Sequence, residues 1–190
     1  MSVTSIMIVG VGGQGTLLAS KILGNAAVSQ GFDVKMSEVH GMAQRGGSVV
    51  TYVKYGDKVY SPVIAPGEAD IILAFEELEA ARWLKYCKRK GTLIVNTQKI
   101  DPMPVIMGTV KYPEGIVEKL SQSDIRLVPV DALALAKEAG TVKAVNVVLI
   151  GVMAKSSGIE KEVWVECIKN TVPERFLDMN LKAFELGYNA

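Results

Sequence analysis

The chain has 190 residues, of which 49% are hydrophobic, so we expect residues 1–190 to form a single domain with a sizeable core. The 21 Lys and Arg nearly balance the 20 Asp and Glu, and no basic tract is present, which argues against a nucleic-acid partner. The apolar runs are too short to span a bilayer and the first residues lack a signal-peptide pattern, so we expect a cytoplasmic protein that does not enter a membrane.

The first predicted elements are a strand, a glycine-rich turn and a helix. The apolar run SIMIVG at 5–10 predicts the strand. Over residues 15–30, Leu18 and Ile22 follow the four-residue spacing of a helix, and Gly31 is placed to end it. This first strand–helix unit is Rossmann-like.

The middle of the chain predicts further strands and one long helix. The segment EELEAARWLKYCKRK predicts a helix that includes Cys87 and has basic residues at its C-terminal end. The pair GD at 56–57 predicts a hairpin turn into KVYSP, and hence an antiparallel element. The predicted strands in this part are 33–39, 48–55, 69–75, 91–96 and 124–130, with a weaker one at 104–107.

The last third of the chain predicts helices. Asp131 can cap a helix over 132–139, and VKAVNVVLIGVMAKS is too long for one strand. Asn146 lies inside that apolar helix, where we expect it to tie the helix to a neighbouring loop. Pro173 is placed at the start of a final helix, which we expect Gly187 to end.

The order of these elements predicts an α/β fold. Strands that alternate with helices are typical of a three-layer sandwich around a mostly parallel sheet. The predicted hairpin makes that sheet partly mixed, and Lys35 and Ser37 indicate that the second strand lies at an edge or is half exposed.

The turn GVGGQG is the first candidate site. Gly10, Gly12 and Gly15 satisfy the G-x-G-x-x-G pattern, and with Gly13 and Gln14 they form a loop that could hold an anion at a helix N-terminus. A dinucleotide site, an anion or other ligand site, and a turn that only packs the helix on the sheet all fit this pattern.

The second candidate site is SEVHGMAQRGGSV at 37–49, a loop rich in hydrogen-bonding groups. Arg45 is suited to a carboxylate or phosphate, and His40 has an ordinary pKa near neutrality. A polar hairpin lead-in with solvated side chains is the alternative. The candidate residues that would face a partner or ligand are His40, Met42, Gln44, Arg45, Gly46 and Gly47.

Metal and cluster ligands are scarce in the sequence. Cys87 and Cys167 are far apart, no CxxC is present, and two cysteines cannot supply the four thiolates of an ordinary iron–sulfur cluster. With His40 as the only histidine, a zinc site is hard to assemble. We therefore predict no metal site on this chain.

Several motifs in the same order resemble the gamma-type subunit or domain of the 2-oxoacid:ferredoxin oxidoreductases. The resemblance runs over nearly the whole chain, and within the family it favours the small (beta) subunits of the indolepyruvate branch. The matching segments are GVGGQG, SEVHGMAQRGG, APGEADIILAFEELEAAR, GTLIVNTQKIDP, KAVNVVLIGVMA and NLKAFELGY.

The resemblance implies a function in a complex. Members of the family oxidatively decarboxylate a 2-oxoacid to an acyl-CoA and reduce ferredoxin, using thiamine diphosphate, magnesium and iron–sulfur clusters. For this chain it implies a non-redox role, with those cofactors on a large partner subunit. Coenzyme A (CoA) is then a co-substrate, and ferredoxin is a partner of the assembled complex. An isolated chain would be inactive, and a homodimer is then possible.

Two questions stay open from the sequence. GVGGQG either contacts CoA or only packs at an interface, and Glu38 and His40 have no assigned ligand role. The alternative function is a free-standing Rossmann-like dinucleotide-binding oxidoreductase that uses GVGGQG, with Glu38 on a ribose hydroxyl.

Overall fold

The computed structural model describes residues 3–39 and 47–190, which include one six-stranded sheet. No helix in these ranges is long and apolar enough to cross a membrane. The strands are β1 (Thr4–Val11), β2 (Asp33–Val39), β3 (Ser48–Gly56), β4 (Ala69–Ala74), β5 (Cys87–Asn96) and β6 (Arg126–Val130).

The sheet is mixed and its order is β2-β3-β1-β4-β5-β6. Four strands, β1, β4, β5 and β6, are parallel, whereas β3 is antiparallel to both of its neighbours, β1 and β2. The C-terminal ends of these four parallel strands lie at one edge of the sheet, which we call the carboxyl edge. The predicted mostly parallel, partly mixed sheet is confirmed.

Helices cover both faces of the sheet and form the predicted three layers. One apolar cluster joins one face to α1, α5, α6, α7 and α8, and a second cluster joins the other face to α2 and α4. The helices are α1 (Thr16–Ser29), α2 (Glu77–Trp83), α3 (Met103–Ile106), α4 (Ile116–Leu120), α5 (Ala132–Ala139), α6 (Val145–Ala154), α7 (Lys161–Thr171) and α8 (Leu177–Asn189).

The chain leaves β1 and β4 toward opposite faces of the sheet. After β1 it enters α1, which packs in the first cluster, and after β4 it enters α2, which packs in the second. Because β1 and β4 are parallel neighbours, a crevice opens between their carboxyl ends. Open α/β sheets bind ligands at such a switch point.

The predicted hairpin after β3 is wrong. The segment KVYSP after Gly56 forms no strand, because both edges of β3 are already paired, with β1 and with β2. The segment after the turn packs instead of pairing: Val59 and Ile64 are buried, and the Val59 N–H donates to the Asp33 carboxylate at 2.9 Å. The antiparallel element exists, but the partners of β3 precede it in the chain.

The predicted long helix after β4 is also wrong in its second half. α2 ends at Trp83, a short 3₁₀ helix follows, and β5 already begins at Cys87, opposite Ala69 of β4. Pairing with β4 outweighs the helical tendency of the basic run, and Lys90 takes a left-handed conformation (φ 60°) where the strand is irregular. Cys87 therefore lies in a strand.

Two further predictions are corrected. Residues 104–107 form no strand, because Pro102 and Pro104 are placed for a helix start and Met103–Ile106 is a short helix. Gly187 lies inside α8 rather than at its end, where α8 crosses α6. A Cβ at Gly187 would lie 2.0 Å from the Val148 carbonyl oxygen, so the glycine allows this close contact.

Candidate functional site

The GVGGQG loop lies at the carboxyl edge, between the ends of β1 and β4. Gly13 (φ 97°) and Gly15 (φ 81°) both adopt the left-handed conformation that favours glycine. Gly15 is the N-cap residue of α1 and makes no side-chain cap hydrogen bond. The Leu18 N–H donates to the Gly15 carbonyl oxygen at 3.1 Å, so the N–H groups of Thr16 and Leu17 are those available to an anion at this helix start.

Gln14 is held by backbone groups on both sides of the crevice. Its Oε1 accepts from the Val11 N–H (2.7 Å) and its Nε2 donates to the Phe75 carbonyl (3.0 Å), just beyond β4. A Cβ at Gly10 would lie 2.8 Å from the Gln14 Oε1, so Gly10 leaves room for this bridge. Gly10 and Gln14 therefore shape the loop.

Asn146 ties α6 to the same loop, as the sequence predicts. It is buried, and its Nδ2 donates to the Gly15 carbonyl oxygen at 3.2 Å. Its Oδ1 accepts from the Val147 N–H at 2.9 Å. The amide therefore fixes the start of α1 against the start of α6.

Alanine substitutions in this loop are expected to differ by position. Gly15→Ala combines positive-φ strain with a Cβ only 2.6 Å from the Asn146 Nδ2, whereas Gly13→Ala has positive φ but no atom within 4 Å. We expect Gly13→Ala to cost about 1–2 kcal/mol and Gly15→Ala about 1–3 kcal/mol more. Thermal unfolding of the purified chain measures both, and equal losses would contradict the contact with Asn146.

A cavity of about 610 Å³ opens beside the loop. Two cations, Lys137 on α5 and Lys143 just before α6, face it together with the start of α1. We call it the lysine-lined cavity; its wall consists of Gly13, Gln14, Gly15, Gln98, Leu133, Lys137, Val142, Lys143 and Val145. Sequence reasoning missed the two lysines and Gln98, because no motif connects them to GVGGQG.

A second cavity, of about 370 Å³, lies on the β2–β3 side of the loop and includes Gly12 and Glu38 in its wall. The Glu38 Oε1 accepts from the Ser20 hydroxyl of α1 at 3.1 Å. Because β3 separates β1 from β2, Glu38 is one strand farther from β1 than the acidic residue of a dinucleotide fold. This order disfavours the ribose role of Glu38.

Of the candidate partner- or ligand-facing residues in the second predicted site, the structure describes Gly47 alone. His40, Met42, Gln44, Arg45 and Gly46 lie outside the described residues. The Gly47 carbonyl accepts from the Gly12 N–H at 2.9 Å, which joins the end of this segment to the glycine loop.

Glu79 holds Ser48, the residue that follows Gly47. The buried Glu79 carboxylate accepts from the Ser48 hydroxyl at the start of β3, from Arg82 Nε (3.0 Å) and from Trp83 Nε1 (3.1 Å). Charge-assisted hydrogen bonds of this kind are the strong ones. Glu79 therefore stabilises the first turns of α2 against β3.

Glu76 anchors both ends of the chain segment between β5 and α4. Its buried carboxylate caps α2 by accepting from the Glu79 N–H (2.9 Å). It also accepts from the Ile100 N–H (3.2 Å) and from the Tyr112 hydroxyl. Burial and the bond to Glu76 raise the pKa of Tyr112, so the phenol stays a donor.

Between those anchors the chain exposes an apolar surface. Residues 102–110 read PMPVIMGTV, with no charged side chain. We call them the apolar segment; more than half of the surface of Met103, Ile106, Met107 and Val110 is exposed. Exposed apolar patches of this kind mark protein–protein contacts.

The described residues do not fit a metal or a cluster. Within 3–39 and 47–190, no three His, Cys, Asp or Glu residues are grouped as metal ligands. Cys87 and Cys167 pack in different apolar clusters on opposite faces of the sheet, so they cannot bind one iron–sulfur cluster together. Burial raises the pKa of Cys87 to about 11, which keeps it a thiol.

A family model described as pyruvate ferredoxin/flavodoxin oxidoreductase matches residues 5–190. Indolepyruvate oxidoreductase subunit IorB of Thermococcus kodakarensis is 42% identical, over 98% of this chain and 95% of its own length. The IorB subunit of Pyrococcus horikoshii is 44% identical, over 98% and 95%. Among solved structures, the keto/oxoacid ferredoxin oxidoreductase gamma subunit of Geobacter sulfurreducens is 25% identical, with a TM-score of 0.74 over 98% of this chain and 96% of that one.

Proposed function

The chain belongs to the pyruvate ferredoxin/flavodoxin oxidoreductase family, and on that premise we propose that it is the small, gamma-type subunit of a 2-oxoacid:ferredoxin oxidoreductase. The observation that carries the proposal is the match to two IorB subunits at 42% and 44% identity over 98% of the chain. The complex oxidatively decarboxylates a 2-oxoacid, for which indolepyruvate or another aryl-pyruvate is the proposed substrate. Two free, buried cysteines accord with a reducing, cytoplasmic location.

The redox cofactors are proposed to reside on a large partner subunit. An iron–sulfur cluster requires four ligands, and the two cysteines of this chain lie on opposite faces of the sheet. Thiamine diphosphate and magnesium are assigned to the same partner, which also delivers electrons to ferredoxin. This chain then contributes binding surface and positioning rather than electron transfer.

The lysine-lined cavity is the proposed site for the phosphate groups of CoA. Lys137 and Lys143 put positive potential around one cavity, whose wall also includes Gly15, the N-cap residue of α1. Its volume of about 610 Å³ is in the range of cofactor sites. Gly13 and Gly15 contribute by shaping the N-terminus of α1. Gln14 bridges the crevice between β1 and β4 through its bond to the Phe75 carbonyl.

The apolar segment is the proposed contact with the large subunit. Interface cores are depleted of charged side chains and enriched in methionine, as this segment is. Glu76 binds Ile100 and Tyr112, which flank the segment on either side. The segment is therefore held in place before association, and binding costs little conformational entropy. A second copy of the chain would be the competing occupant when the large subunit is absent.

The loop 40–47 is proposed to face the same partner or ligand. This proposal rests on the sequence SEVHGMAQRGG and on the bond between Gly12 and Gly47, which joins the end of the loop to GVGGQG. Arg45 is the residue of this loop suited to a carboxylate or phosphate.

The competing function, a free-standing dinucleotide-dependent oxidoreductase, is disfavoured by the position of β3 between β1 and β2. Tight stoichiometric binding of NADH to the isolated chain would revive it.

Co-production with the large subunit of the same organism tests the proposal. We expect a tagged form of this chain to retain a brown, cluster-bearing large chain through two purification steps, whereas the chain purified alone is colourless. The absorbance spectrum and the band ratio on a gel measure the outcome. A colourless, single-chain product from co-production would contradict the subunit assignment.

A further inference from the structure

Three side-chain amides form a row along the carboxyl edge, which we call the amide chain: Gln14, Asn96 and Gln98. The Phe75 carbonyl oxygen accepts from both Gln14 Nε2 and Asn96 Nδ2, each at 3.0 Å. Asn96 Nδ2 also donates to Gln98 Oε1 at 3.3 Å. The row thus connects the ends of β1, β4 and β5.

Backbone partners fix the direction of these amides. Asn96 is fully buried; its Oδ1 accepts from the Ala132 N–H at 3.2 Å, while its Nδ2 faces the Phe75 carbonyl. A backbone N–H can only donate and a carbonyl can only accept, so the Asn96 amide cannot be reversed. Its second Nδ2 hydrogen then requires an acceptor, which is the Gln98 Oε1.

The fixed direction has a consequence at the cavity wall. With Oε1 held by Asn96, the Gln98 side chain has its Nε2 hydrogens left to donate, and Gln98 lines the lysine-lined cavity. Lys137 and Lys143, which share that wall, are also pure donors. The polar side chains around this part of the cavity are matched to a ligand that only accepts hydrogen bonds.

We propose that Gln98 contacts an anionic phosphate oxygen in the lysine-lined cavity and that Asn96 is a positioning residue, which keeps the Gln98 amide turned with its donors toward that oxygen. This inference rests on the proposed function, which places the phosphate groups of CoA in this cavity. It adds a recognition residue outside GVGGQG and outside the loop 40–47.

The experiment uses the assembled complex with its large subunit and measures the KM for CoA, the KM for indolepyruvate and kcat. Gln98→Glu keeps the size of the side chain and an acceptor for Asn96, but it presents a negative oxygen in place of a donor. We expect the KM for CoA to rise at least about tenfold, with kcat and the KM for indolepyruvate within about twofold. Gln98→Met, which is neutral, should give a smaller rise in the same constant.

Gln122→Glu is the matched control. Gln122 is exposed between α4 and β6, so this substitution adds the same negative charge away from the cavity. We expect it to leave all three constants unchanged. An unchanged KM for CoA in Gln98→Glu, while Lys137→Ala raises it, would overturn the role of Gln98 and leave the proposed function standing. If neither variant changes that KM, the assignment of CoA to this cavity fails as well.

Discussion

Reversing both charges of the lysine-lined cavity, with Lys137→Glu and Lys143→Glu together, is expected to raise the KM for CoA of the assembled complex at least about 30-fold. Hydrogen bonds from charged donors contribute about 1.5–3 kcal/mol each, and every 1.4 kcal/mol is a factor of ten. The two residues lie on different elements but face the same cavity. Steady-state kinetics with CoA varied at saturating 2-oxoacid measures the effect.

The control pair is Lys155→Glu with Lys169→Glu. Both lysines are exposed and neither lines the cavity, so the same change in net charge should leave the KM for CoA within about twofold. A rise of equal size in the control would attribute the effect to net charge. An unchanged KM in the cavity variant would remove CoA from this site.

Met107→Asp is expected to weaken assembly with the large subunit at least about 30-fold. Met107 is 69% exposed in the apolar segment, so the isolated chain should keep its thermal stability. A carboxylate buried in an interface core would lose its hydration without a partner, and residues at such positions contribute about 2 kcal/mol or more to binding. Biolayer interferometry with the immobilised large subunit measures the Kd.

Val28→Asp is the matched control for this prediction. Val28 is exposed to a similar extent (59%) but lies in the last turn of α1, away from the carboxyl edge. If Met107→Asp leaves the Kd unchanged and instead dissolves a homodimer of the isolated chain, the apolar segment binds a second copy. If both variants weaken assembly equally, the contact surface is elsewhere.

Local pattern was sufficient for the first part of the site. An apolar run, a glycine turn and a four-residue spacing place GVGGQG between β1 and α1, and the structure has Gly15 at the start of that helix. The edge position of β2 followed from Lys35 and Ser37, which interrupt its apolar pattern. The capping role of Asp131, which accepts from the Ala134 N–H at 2.9 Å, followed in the same way.

The rest of the site depends on the sheet order, which local pattern does not contain. Gln98 and Lys137 are more than 80 residues from Gly15, and they meet it only because β1, β4 and β5 are parallel neighbours. For the same reason the partners of β3 were mispredicted: a turn signal at 56–57 indicates a reversal but not which strands already occupy both edges. The local pattern predicts Cys87 in a helix. Its actual pairing is with Ala69 of β4, and the residues next to Cys87 in the sequence carry no signal for that pairing.

The most direct test of the central claim is a reconstitution assay of ferredoxin reduction that depends on both indolepyruvate and CoA. Three samples are compared at equal concentration: this chain alone, the large subunit alone, and the two combined. The subunit assignment predicts activity at the full rate only in the combined sample, and none from this chain alone. Reduction of ferredoxin or of a nicotinamide nucleotide by this chain alone, or an undiminished rate from the large subunit without it, would contradict the account.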